Sequence, residues 1–267
     1  MSNLFDPSKF TASKAKPLPV ILLLDVSGSM SQVISDDFQR TGKTVFRDGK
    51  NWEIVEGGTT RIQLLNEAVR KMIVTLAREE GMGHEFLVSI ITFGGQARFH
   101  LQPTAAKEVQ WRDLTTEGDT PLGEALRTAK DLVEDKQKTP GRAYRPAVIL
   151  VSDGQPTDEW ESQLADFVTS GRSSKCDRMA MGIGAGADNH MLGKFIVGTG
   201  HTVFQADQAE SIHEFFKRVT MSVTTRMKSK DPDTVPKDSD IRLDSPTIKP
   251  QAPQNDDDAD EEAGYRW

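Results

Sequence analysis

Leu18-Pro19-Val20-Ile21-Leu22-Leu23-Leu24-Asp25-Val26-Ser27-Gly28-Ser29-Met30 decides how the rest of this 267-residue chain is read. The unbroken apolar run Val20–Leu24 reads as a strand buried on both faces, the pattern of a parallel sheet with helices above and below. It runs straight into Asp25, Ser27 and Ser29, three oxygen-bearing side chains at alternate positions along one side of a tight loop. Gly28 lets the backbone bend between them. In open α/β sheets ligands sit at the carboxyl ends of strands, where the topology switches, so this loop is a candidate site.

Working outward, β-rich apolar runs recur at 86–93, 147–151 and 179–183. Helical spacing separates them: Ile62, Leu65, Val69, Met72, Ile73 and Leu76 share one face, as do Leu122, Ala125, Leu126, Ala129 and Val133, and Ile212, Phe215, Phe216, Val219 and Val223. A further helix is expected around Met191–Val197. The segment Ala97–Leu101 follows Phe93 too closely for a crossover helix, so it should run antiparallel, at an edge. The expected fold is α/β: a three-layer, Rossmann-like arrangement with a mostly parallel sheet of about six strands, one antiparallel edge strand, and helices on both faces.

Residues 1–16 form an N-terminal extension without the apolar core of a signal peptide. The longest apolar run is far short of the roughly 20 residues that span a bilayer. A formal charge of −7 argues against nucleic acid, and the lone Cys176 excludes an internal disulfide. A soluble, cytoplasmic protein with no nucleic-acid or membrane partner is expected. Residues 31–58 interrupt the α/β pattern, and Asp48-Gly49 between the β-rich runs 44–46 and 52–55 signals a hairpin beside the candidate site. Trp52 in it reads either as an exposed anchor or as a pin to the domain. From residue 228 to the end, five of the thirteen prolines and eleven acids against six bases leave −5 of the total charge. That composition predicts a disordered acidic tail, ending in Tyr265-Arg266-Trp267, either a solvated linker or a binding motif.

Two more loops look built for the same place. Gly118-Asp119-Thr120-Pro121 opens the second helical segment, with Pro121 at a plausible first helical position, and the 147–151 strand ends in Ser152-Asp153-Gly154. Oxygen-only donors suit a hard cation such as Mg²⁺, with Mn²⁺ or Ca²⁺ as alternatives. The absence of a nearby His or Cys argues against zinc.

Asp25-x-Ser27-x-Ser29, then Thr120, then Ser152-Asp153-Gly154 resembles the metal-ion-dependent adhesion site of von Willebrand factor A domains, over roughly residues 17–227. The resemblance implies Ser27, Ser29 and Thr120 as hydroxyl ligands, and Asp25 and Asp153 as ligands directly or through water. Leu18–Asp25, Arg145–Trp160 and Met181–Gly184 are similar to the bacterial TerY type, linked to tellurite resistance and stress response. That implies partnership with a Ser/Thr kinase and a metal-dependent Ser/Thr phosphatase. The 31–58 insertion and the acidic tail depart from a minimal chain of that type.

Three neutral hydroxyls and two carboxylates leave a divalent ion electrophilic, ready to accept a Glu or Asp from a partner protein. The expected function is therefore a metal-dependent protein–protein adaptor, not an enzyme. Hydrolysis needs a base or nucleophile beside the metal; aspartate-nucleophile phosphatases want a second Asp two residues on, where Ser27 stands. A metal-dependent phosphoesterase, and a structural subunit whose metal only stiffens the loops, are the alternatives. Gly182-Ile183-Gly184 lacks the third glycine of a dinucleotide fingerprint and reads as a turn. The five histidines are scattered, with surface or packing roles as the default.

Overall fold

All eight residues of strand β1 (Leu18–Asp25) are buried, as a continuous apolar run at the centre of a sheet must be. In a computed structural model of the chain, which describes residues 16–241 apart from 36, 48 and 49, this strand pairs in parallel with β4 (Phe86–Gly94) on one side and β6 (Ala147–Ser152) on the other. Beyond β6 come β7 (Asp177–Ile183) and β8 (Phe204–Ala206), both parallel. Beyond β4 lies β5 (Gln96–Ala105), antiparallel. The sheet order is β5-β4-β1-β6-β7-β8. Only Gly95 separates β4 from β5, and its φ of 66° makes the reversal without strain.

Alternate side chains of β1 feed two separate cores. Leu18, Val20, Leu22 and Leu24 pack with helices α1 (Arg61–Glu80) and α5 (Ala209–Lys228). Ile21 and Leu23 pack with α2 (Leu122–Glu134), α3 (Glu161–Thr169) and α4 (Asn189–Ile196) on the other face. This is the three-layer fold the hydrophobic pattern implies. Each buried leucine of β1 is worth about 1.5–3 kcal/mol relative to exposure. Neither α3 nor β8 stands out in the sequence: α3 buries only Leu164 and Phe167, and β8 is three residues long.

Between β1 and α1 the chain leaves the body as a separate two-stranded antiparallel sheet, β2 (Phe38–Arg47) and β3 (Lys50–Gly57). Its register shifts between Arg40 and Thr44. Its turn, Asp48-Gly49, and the Trp52 side chain lie outside the described residues. Val45, Phe46 and Ile54 are exposed, Phe46 by 72%. The hairpin's base is clasped: Ile34 N donates to Thr59 O, Arg61 N donates to Gln32 O, and Val33 bridges Thr60. Thr60 and Gln63 form a reciprocal capping box that starts α1 at Arg61.

Composition places the tail from residue 228 onward outside the fold. Residues 229–241 nonetheless pack back against the domain, and 242–267 lie outside the described residues, as do 1–15. The buried Arg226 explains the return: its Nε donates to Pro232 O and its Nη2 to Arg145 O. Asp238 receives His201 Nδ1 at 2.6 Å. No helix among the described residues is long and apolar enough to cross a membrane.

Candidate metal centre

Three loops at the carboxyl edge of the sheet meet above β1. Backbone hydrogen bonds zip the first two together: Gly28 N donates to Gly118 O at 2.9 Å and Glu117 N to Val26 O at 2.7 Å; the β4–β5 turn joins them through Gly95 N, which donates to Asp119 O at 3.0 Å. The approach is so close that a Cβ on Gly118 would fall 2.6 Å from Gly95 Cα, so only glycine fits there. Thr157 ties in the third loop: its backbone N donates to Thr120 O at 3.0 Å, and its Oγ1 accepts from Thr120 N at 3.1 Å. Pro121 caps α2 instead of opening it, which leaves Thr120 two residues ahead of the helix. The orphan amides of that helix end, Gly123 N and Glu124 N, donate to the Asp158 carboxylate at 3.0 Å each.

These loops bring the five expected side chains to one place. Asp25 is fully buried, with Oδ1 accepting from Ser27 N at 2.8 Å and Oδ2 from the Ser152 hydroxyl at 2.7 Å. The Ser27 and Ser29 hydroxyls lie 3.0 Å apart, and Ser29 donates to Asp153 Oδ1 at 2.6 Å. Ser27, Ser29, Thr120 and Asp153 line a polar cleft of about 580 Å³, together with Gln32, Arg61, Asp119, Gln155 and Thr157. The Thr120 side chain is buried, and its hydroxyl makes no hydrogen bond among the described residues. An apolar groove of about 420 Å³ between α1 and α5 shares none of these residues.

Burial pushes the Asp25 carboxyl up to about 6, and the negative Asp153 nearby adds to this; hydrogen bonds from Ser27 and Ser152 offset only part of it. Two carboxylates drawn together in a buried site are costly unless a positive charge compensates them. The donor set fits a hard divalent cation: two carboxylates, two hydroxyls that can turn their lone pairs inward, and a third hydroxyl with no other partner. No three His, Cys, Asp or Glu side chains converge among the described residues, so the hydroxyls are indispensable to any such site. Besides Asp153, the charged residues lining the cleft among the described residues are Arg61 and the exposed Asp119.

One charged group here is absent from the sequence reading. Arg61, at the first position of α1, donates from Nη1 to Asp153 Oδ2 at 2.7 Å, with the Arg61 side chain 13% and the Asp153 side chain 0% exposed. Its sequence signal was the Thr60–Gln63 capping box, which places Arg61 at a helix start on the sheet's carboxyl edge. The Cys176 thiol, by contrast, is buried and burial pushes it up to about 12, leaving it inert. Gly182-Ile183-Gly184 ends β7 and turns toward α4.

A family model for the von Willebrand factor type A domain matches residues 20–155, just over half of the sequence. The chain belongs to the von Willebrand factor type A domain family. Among solved structures it is similar to a von Willebrand factor type A protein from Catenulispora acidiphila (TM-score 0.53, 20% identity, 78% of this chain and 42% of that one). It is also similar to the ArnB paralog VWA2 from Sulfolobus acidocaldarius (0.52, 12%, 79% and 46%). Proximal thread matrix protein 1 of the mussel byssus matches at 0.51, with 13% identity over 78% of this chain and 48% of that one. A further structure of the mussel protein has a zinc-occupied MIDAS motif. At these identities the likeness is one of fold, and the chain spans under half the length of each of the three. No curated protein matches.

Proposed function

We propose that this protein binds a divalent cation through Asp25, Ser27, Ser29, Thr120 and Asp153, and uses it to grip an acidic side chain of a partner protein. The observation that carries the reading is that Ser27, Ser29, Thr120 and Asp153 line one polar cleft while Asp25 lies buried beside it, bonded to Ser27 N and the Ser152 hydroxyl. Two carboxylates and three hydroxyls leave coordination positions of a divalent ion open, and an external carboxylate is a suitable hard-oxygen ligand for them. Mg²⁺ is the first ion to test, with Mn²⁺ and Ca²⁺. The zinc-occupied MIDAS motif of the mussel protein adds zinc to that series. When bound, the ion supplies the positive end of the contact. The chain's own part is to fix its donors: Ser27 N and Ser152 orient Asp25, and Ser29 and Arg61 orient Asp153.

An adaptor is favoured over a hydrolase because, among the described residues, the cleft lining holds no His, Cys or Lys, and its one acid besides the would-be ligands, Asp119, is exposed. Membership of a kinase–phosphatase stress system of the TerY type rests on sequence strings alone. The test is calorimetric titration of Mg²⁺ and Mn²⁺ into the full chain and into Asp25→Ala, with metal-dependent co-purification of partners alongside. Binding to the unaltered chain and its loss in the variant are expected, with no turnover of p-nitrophenyl phosphate. Partner capture indifferent to both EDTA and Asp25→Ala would remove the metal from the mechanism. Turnover lost on Asp25→Asn would install the hydrolase instead.

A further inference from the structure

Arg61 changes the charge count on which metal and ligand binding depend. Without it, Asp25 and Asp153 sum to −2, and a divalent ion would bring the cleft to neutrality with little left to attract an anion. With the guanidinium 2.7 Å from Asp153, the protein's own sum is −1. A divalent ion then takes the cleft to +1, and one incoming carboxylate restores neutrality. Asp119, the other acid of the cleft, is exposed on the rim, where water screens it.

The placement of Arg61 is not a by-product of helix packing. A basic side chain at the first position of α1 stands at the positive end of the helix dipole, where an acid is favoured. Its Nε is buried without a hydrogen-bond partner among the described residues. Its seat is made by Gly184, whose φ is 71° and on which a Cβ would lie 2.8 Å from Arg61 Nη2. The backbone clasp from Arg61 N to Gln32 O holds the residue beside the Ser29 loop. The contact with Asp153 is thus kept despite an unfavourable helix position and an unpaired Nε, beside a glycine whose positive φ disfavours a side chain.

From this we infer that Arg61 is a built-in counter-charge that lowers the affinity of the cleft for a divalent ion and makes ion and carboxylate bind cooperatively. The inference rests on the metal-dependent reading above and specifies its regulation. An ion alone is held weakly, and an acidic ligand alone meets Asp153 and Asp25. Together they neutralise the cleft, so the ion is retained chiefly when the acidic partner is present.

Mg²⁺ titration by calorimetry of the full chain, R61Q and R61K, each with and without sodium acetate as the carboxylate probe, tests this. R61Q is expected to bind Mg²⁺ about tenfold more tightly than the unaltered chain, as loss of a nearby positive charge requires, and R61K to stay near the unaltered value. Saturating acetate should tighten Mg²⁺ binding several-fold in the unaltered chain and leave R61Q unmoved. In EDTA, R61Q should melt below the unaltered chain, because Asp153 loses its partner, and Mg²⁺ should restore it. A merely structural arginine would give weaker Mg²⁺ binding on removal, not tighter. Equal or weaker Mg²⁺ binding by R61Q, or equal acetate coupling in both, would overturn the inference while leaving the metal site standing. Should R61Q not fold, the acetate coupling of the unaltered chain decides alone, and its absence refutes the idea. No Mg²⁺ binding by the unaltered chain at all would sink the proposed function and this inference together.

Discussion

His201 is the residue whose setting departs furthest from its sequence. Its ring is sandwiched between Asp177, at 2.9 Å from Nε2, and Asp238, at 2.6 Å from Nδ1, and only 3% of the side chain is exposed. Burial by itself would lower its pKa. The hydrogen bonds and charges of the two carboxylates outweigh burial and raise it to about 8, above the ordinary 6.5. Arg226, across the shared Asp177 at 3.6 Å, also faces this cluster, and Arg218 lines the cavity beside His201 and Asp238. Because the folded value is the higher one, the stabilisation is complete below pH 6.5 and disappears as the pH rises through 8. A shift of that size is worth about 2 kcal/mol. The urea midpoint should therefore fall between pH 6 and pH 9, and the fall should vanish in His201→Gln; an equal fall in the variant would assign the pH dependence elsewhere. Nothing near position 201 in sequence announces this, since Asp177 and Asp238 come from a strand and from the returning tail. Asp25, Ser27, Ser29 and Asp153 were legible for the opposite reason. Each is placed by the strand immediately before it, so local spacing alone aims the side chain at the sheet's carboxyl edge. Thr120 was legible through its helix start, one residue out. Arg61 escaped because its role depends on a partner 92 positions away and contradicts the local preference of its helix end.

At the scale of elements, the alternation of apolar runs and 3.6-residue spacing located β1, β4, β6, β7, α1, α2 and α5, and the brevity of the link after Phe93 set β5 antiparallel. It passed over α3 and β8, which bury too few side chains to leave a pattern. The β2–β3 hairpin carries a different lesson. Asp48-Gly49 marks it, yet an isolated two-stranded ribbon is marginal in water, and this one leaves Val45, Phe46 and Ile54 exposed. Its base, by contrast, belongs to the site: Gln32 O, Val33 and Ile34 hold Thr59, Thr60 and Arg61 in place. Excision should consequently be made above that clasp. Replacing residues 38–57 with a short Gly-Ser linker is expected to leave Mg²⁺ affinity within about threefold and stability within ~1 kcal/mol, as for a surface loop. Metal-dependent co-purification of partners should drop. Calorimetry and co-purification on the same preparation separate the outcomes, and loss of metal binding would mean that the hairpin supports the fold instead of selecting what docks.

For the whole molecule, the question is where the folded body ends. Low hydrophobicity and charge set the boundary at residue 228, but they take no account of what a buried cation in α5 demands. Arg226 is 1% exposed, and a guanidinium cannot be left there without acceptors. Two carbonyls and a carboxylate meet it: Pro232 O, Arg145 O and Asp177, with Nη1 lying 3.6 Å from Asp177 Oδ2. Asp233 accepts from Arg145 N at 2.6 Å, fastening the same turn from its other side. Asp238 then closes over His201. Residues 229–241 thus belong to the domain by hydrogen bonding, although they add almost no apolar surface. A chain ending at 228 strips Arg226 of one acceptor and His201 of one carboxylate, and should lose about 3 kcal/mol. A chain ending at 241 keeps every one of these contacts and should match the full chain. Urea unfolding of the three lengths at pH 6, where His201 is charged, gives the comparison. If the chain ending at 228 is as stable as the chain ending at 241, water solvates Arg226 adequately and the strap is decoration. If it is weaker, the domain has a polar closure on the β7–β8 side of its sheet, and the metal-bearing loops at the carboxyl edge rest on a body whose last stabilising segment follows its last helix.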